Sequence, residues 1–150
     1  MSKEMKILVA LEFVENPQEI LKRALSVASK YQARIYTLHV IEELPRQAFY
    51  YDAYKIWEEF RDKAVKETIE KMSSYIKKLD SKFNDIEPMI EVGQTCDKIL
   101  EVADKLDVDL IILGHHVQKG VIRHLMHDHV CEKVVRLSKR PVLTFNIEPE

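Results

Sequence analysis

Five of the six histidines fall between His115 and His129: His115, His116, His124, His127 and His129. His124 and His127 are spaced i, i+3, so a helix there sets both on one face. Asp128 lies four residues after His124, and Cys131 follows. Imidazole with a carboxylate or thiolate is a ligand set for zinc, copper or nickel. His124, His127, Asp128 and His129 are therefore the candidate metal ligands. The competing reading is a solvated helix start, because no zinc-finger spacing and no HExxH pair is present. Imidazoles that titrate near neutrality also make a pH-sensitive surface.

Other reactive residue types are sparse. Cys96 falls in the first turn of an expected helix, where a thiolate is stabilised. A small, half-buried packing residue is the competing reading. His39 lies inside an expected strand with no nucleophile paired to it, and reads as structural. There is no GxSxG elbow, no Walker lysine loop and no paired-carboxylate motif. Catalysis is not expected, beyond slow ATP hydrolysis at most.

The composition narrows the classes further. The chain has 150 residues, which suits one domain, and 46% are hydrophobic, enough for a core. Lys and Arg number 23 and Asp and Glu 25, a net charge of −2 without long runs of one sign. A basic footprint for nucleic acid is missing, and so is a polybasic membrane patch. The run from Ile7 to Leu11 stops at Glu12 with no cleavage site, so a strand is expected there and not a signal peptide. No stretch approaches a membrane span. Two cysteines make no disulfide framework, so a cytoplasmic protein is expected.

The elements that must position these residues follow from apolar patterning. Lys6 to Leu11 reads as a strand covered on both faces. Asn16-Pro17-Gln18-Glu19 reads as a helix start, with Asn16 as cap and Pro17 at the first helical position. Ile20, Leu21, Ala24, Leu25, Ala28 and Tyr31 give its apolar face, and Arg34 to Ile41 is a second strand. A long helix is expected from Tyr51 to Leu79, with Trp57, Phe60, Ala64, Ile69, Met72, Ile76 and Leu79 on one side. Half of the aromatic residues lie between Phe49 and Phe60. Trp57 and Phe60 are expected in the core, with the tyrosines partly covering the end of the sheet. A lid or partner surface is the other reading.

Ile86 to Val92 is a third strand, placed near an edge by Pro88 and broken by Gly93. Thr95 to Leu106 is helical, with Ile99, Leu100, Ala103 and Leu106 inward. Asp109 to Leu113 is a buried strand ending at Gly114. A helix from about His127 to Leu137 and a strand from Pro141 to Ile147 close the chain. In that last strand Leu143, Phe145 and Ile147 alternate with Val142, Thr144 and Asn146, which suits an edge. Alternating strands and helices imply a single α/β domain over 1–150, a five-stranded parallel sheet flanked by helices.

Several segments resemble the universal stress protein family in sequence and order. They are ILVALE, LHVIEE, EVGQTCDKILEVADKLDVDLIILGHH and EKVVRLSKRPVLTF. The resemblance implies a Rossmann-like, adenine nucleotide alpha hydrolase-like sandwich in a stress-response or signalling role. It also implies a homodimer through the last strand, from Val142, Leu143, Thr144, Phe145, Asn146 and Ile147.

Members that bind ATP carry Gly-x-x-Gly, about nine further residues, then Gly followed by Ser or Thr. Glycines let backbone amides reach phosphate, and a helix N-terminus completes the cradle. Here Gly114 fits the first glycine, Val117 takes the second position, and Gly120 lies three residues on. The Gly-Ser pair falls on Asp128-His129, or on His127-Asp128 in the other register. A carboxylate there opposes phosphate, while Lys119, Arg123 and the histidines offset it. Glu12 stands where the family has Asp, and Val40 matches its base-packing residue. ATP binding in the standard mode is therefore not expected. The alternatives are ATP or AMP, with Mg, on an altered loop, and a metal held by the His115–His129 cluster. Carried over residue by residue, the candidate nucleotide site is Ala10, Leu11, Glu12, Val40, Leu113, Gly114, His116, Val117, Gly120, Asp128, His129 and Val130.

Overall fold

The computed structural model describes residues 3–12, 17–43, 51–79, 86–116 and 128–147. The order is β1 (Lys6–Ala10), α1 (Pro17–Tyr31), β2 (Arg34–Glu42), α2 (Tyr51–Lys78), β3 (Ile86–Gly93), α3 (Thr95–Leu106), β4 (Leu110–His116), α4 (Asp128–Leu137) and β5 (Val142–Ile147). The five strands are parallel and stand in the order β3-β2-β1-β4-β5. β3 and β5 are the edges, as Pro88 and the mixed last strand led one to expect.

The alternation of side chains sorts the core into two layers. Ile7, Val9 and Leu11 join Ile20, Leu21, Ala24 and Ala28 of α1 and Met72 of α2 on one face. Leu8, Leu38, Val40, Ile111 and Leu113 join Ile99, Val102 and Ala103 of α3 and Val134 of α4 on the other. Ile7, Leu8 and Val9 are each 0% exposed, because β1 is central and covered on both sides. Pro17 does open α1, with Glu19 in the first turn bridging to Arg23 at 3.0 Å. The expected cap, Asn16, lies outside the described residues. Gly93 closes β3 at φ +153°, a conformation that side chains rarely adopt; a Cβ there would lie 2.8 Å from the Lys98 Cε.

Several expectations are corrected. β4 does not end at Gly114 but runs to His116, because β5 continues to pair with it through His116↔Ile147. β1 ends at Ala10, one residue early. Tyr31 is exposed at the end of α1 and does not extend its buried face. Phe60 is 69% exposed, Ile69 is exposed as well, and Trp57 is only half-buried. The reason is length. A 28-residue helix spans about 42 Å, against about 26 Å for the eight residues of β3. α2 meets the core through Met72, Tyr75, Ile76 and Leu79 near its C-terminal end. Farther up, Tyr54 and Trp57 pair at 5.7 Å and Arg61 covers the Trp57 ring, while Ile56 and Phe60 point outward.

Candidate functional site

A strand order that reverses between β1 and β4 opens a crevice at their C-terminal ends, where sheets of this kind bind ligands. Ala10 sits at that point, in register with Leu38 on one side and Leu113 on the other. Ala10, Val40 and Leu113 share the face covered by α3 and α4. Val40 and Leu113 are buried and Ala10 is half-buried against them, so the three make the apolar floor of this core layer at the C-terminal ends of β1, β2 and β4. Val130, in the first turn of α4, packs against the same core.

The crevice does not collect every residue that the sequence grouped. The Leu11 side chain goes the other way, into the α1/α2 layer, where it is 2% exposed. Gly114 also turns its hydrogen to that layer. A Cβ there would fall 2.9 Å from Ile20 Cγ1, closer still to Ile20 Cδ1, and 3.4 Å from Ile147 Cγ1. Its smallness lets α1 lie against β4, a packing requirement independent of phosphate. Strand alternation puts His115 on the α3/α4 side with Leu113. His116 ends β4, while Asp128 and His129 open α4. Val117, Gly120, His124 and His127 lie outside the described residues.

Three contacts at this end escaped the sequence reading. The His39 Nδ1–H donates to the Leu11 carbonyl at 2.7 Å. Burial pushes the His39 pKa below its usual 6.5, although the Leu11 carbonyl and Glu12 work against the shift. The Thr95 hydroxyl, on the first residue of α3, donates to the Glu42 carboxylate at 2.9 Å. Lys98 reaches Glu101 at 3.2 Å while its stem covers Gly93. Each pairing spans residues that only the fold brings together, apart from the local Lys98–Glu101 pair, so no local pattern marks the first two.

The metal and redox readings gain nothing from the described residues. No group of three His, Cys, Asp or Glu side chains among them could hold a metal ion. Cys131 is half-buried against the α3/α4 core. Cys96 is buried in the same layer, and its thiol is pushed up by burial and then by Asp97, the opposite of a stabilised thiolate. Among the described residues, no helix is long and apolar enough to cross a membrane.

This is a doubly wound, Rossmann-like α/β domain with its crevice at the β1/β4 switch point. The model of the universal stress protein family matches residues 4–146, and the chain belongs to that family. The universal stress protein MJ0577 of Methanocaldococcus jannaschii is 28% identical over 152 residues, covering 92% of each chain. The solved MJ0577 structure superposes with a TM-score of 0.77 at 26% identity, covering 97% of this chain and 98% of its own. Two structures at 22% identity and TM-score 0.59 share the fold. One is a universal stress protein in complex with cAMP, covering 95% of this chain and 97% of its own. The other is from Archaeoglobus fulgidus in complex with dAMP, covering 93% and 96%.

Proposed function

We propose that this universal stress protein binds an adenine mononucleotide at the β1/β4 crevice, and does not bind ATP through the family's glycine loop. The observation that carries the reading is the apolar floor of Ala10, Val40 and Leu113, which suits one face of a flat heterocycle. Support for a single phosphate comes from the other side of the crevice. Gly114 is taken up by packing against Ile20 and Ile147. Asp128, the first described residue of α4, is an aspartate, a residue type whose negative charge disfavours a polyanion nearby. Fewer phosphates meet less repulsion there. Relatives of this fold hold dAMP and cAMP.

The test is thermal melting and calorimetry with AMP, dAMP, cAMP and Mg-ATP. A mononucleotide at a hundredfold excess over its Kd stabilises the fold by about 2.7 kcal/mol. Mg-ATP is expected to bind no more tightly than AMP. Protein that binds none of the four overturns the reading, and tighter binding of Mg-ATP overturns its phosphate half.

The same reading includes a cytoplasmic homodimer joined through β5 and acting in stress response or signalling. Among the described residues β5 is an edge strand whose Thr144 and Asn146 are exposed, and an edge strand is a template for pairing. Sedimentation is expected to give a two-chain mass. A single-chain mass at high micromolar concentration removes this part.

A further inference from the structure

The register between β1 and β2 ends at Ala10↔Leu38, while β2 runs on to Glu42 beside β3. One more backbone bond ties the strands, from the Leu11 N–H to the Leu38 carbonyl at 2.8 Å. The Leu11 carbonyl, the next acceptor along the chain, receives the His39 ring nitrogen at 2.7 Å. A carbonyl only accepts, so the imidazole must carry its proton on Nδ1, and this fixes the neutral tautomer. Leu11 is thereby held three ways: its side chain in the α1/α2 core, its N–H on Leu38 and its carbonyl on His39. Glu12 is the first residue past this clamp. Continued in register, the strands set Glu12 opposite Val40, at the edge of the apolar floor.

We infer that His39 is a positioning residue: by holding the Leu11 carbonyl it sets the direction in which the chain leaves β1, and so where Glu12 stands beside the floor. Its consequence for ligand rests on the mononucleotide reading; its consequence for Glu12 does not. A histidine that merely fills space is replaceable by any side chain of similar bulk. A positioning histidine is replaceable only by one that donates from the same point. Asparagine offers that donor, because its Nδ2, like the histidine Nδ1, is one bond beyond Cγ.

The experiment compares wild type, His39→Asn and His39→Leu by dAMP calorimetry and by the backbone amide resonance of Glu12. His39→Leu is expected to lose about tenfold in dAMP affinity and to move the Glu12 resonance, while His39→Asn stays within about threefold of wild type and restores it. Equal behaviour of the two variants in both readouts overturns the inference. If wild type binds none of AMP, dAMP, cAMP and Mg-ATP, the nucleotide reading falls, and an unmoved Glu12 resonance in His39→Leu overturns the positioning role. If His39→Leu does not fold, the ring-nitrogen shifts of wild type decide: a proton on Nδ1 supports the clamp, and a neutral ring protonated on Nε2 overturns it.

Discussion

At the N-terminal edge of the sheet, charge and backbone bonds tie neighbouring segments together; at the C-terminal edge, side chains and backbone of the described residues meet across β1, β2, β3 and α3. At the first edge Lys6 and Asp109 exchange bonds, with Lys6 N–H to the Asp109 carboxylate at 2.9 Å and Asp109 N–H to the Lys6 carbonyl at 2.8 Å. Arg34 N–H reaches the Met5 carbonyl, and Ile111 N–H reaches that of Pro141. Arg140 donates to the Val108 carbonyl and to Asp107 and Asp104, while Lys3 pairs with Asp107 at 2.9 Å. Asp107 sits in the left-handed cap that ends α3, which places its carboxylate between those two cations. At the second edge the contacts include His39 with Leu11, Leu11 N–H with the Leu38 carbonyl, Thr95 with Glu42, and Glu43 N–H with the Gly93 carbonyl. The difference teaches that the scaffold is closed from below. The bonds that close it there involve none of the candidate site residues.

Gly114→Ala probes the exception to this division. The glycine stands near the crevice yet serves the core, so the substitution is expected to cost about 3 kcal/mol in urea unfolding through overpacking against Ile20. A stability unchanged by Gly114→Ala, with ligand binding lost, would return this residue to the crevice and break the comparison.

Arg140→Ala tests the closed edge itself. Its guanidinium is largely buried, and its loss strips the Val108 carbonyl and two aspartates of a donor, an expected cost of about 2 kcal/mol. The ligand affinity of the folded protein should be unchanged, because the contact lies at the far end of the sheet.

The two edges should also separate by pH. His39 titrates below 6.5 in the fold, so its neutral form is favoured; the stability it adds is present above 6.5 and is lost as pH falls through the folded value. The urea midpoint should decline on acidification from neutrality, and His39→Asn should remove that part of the decline. Asp107 is held below its usual 3.8, first by the Lys3 hydrogen bond and then by Arg140. Its contribution is present above 3.8 and is lost only at more acid pH, as the carboxylate protonates. Asp107→Asn should flatten only that later step, and by a small amount, because the pair is solvent-exposed.

The smallest effect is expected outside both edges. Phe60→Ser on the outer face of α2 should leave the urea midpoint within about 0.5 kcal/mol of wild type. A larger loss would mean that this face is covered in solution.

Much of the scaffold was legible because its signals are local. The apolar run of β1, the proline opening α1, the periodicity of α3 and the mixed pattern of β5 each belong to one segment, and each element formed within one or two residues of expectation. Only β4 ran notably longer, since its last residues are held by β5 and not by their own pattern. Of the candidate site, the sequence offered residues and the fold offered their placement. Family likeness selected Ala10, Val40 and Leu113, and the fold set them on one face.

What the sequence by itself determined is the alternation of strands and helices, the family likeness, and a chain with only three glycines, Gly93, Gly114 and Gly120. Only the tertiary structure decided that Leu11 and Gly114 serve the core, that Phe60 faces out, and that His39 caps the end of β1. The physical reason is that periodicity fixes which residues share a side of one element. Which neighbour that side meets depends on strand order, on helix length relative to the sheet, and on contacts between residues far apart in the chain.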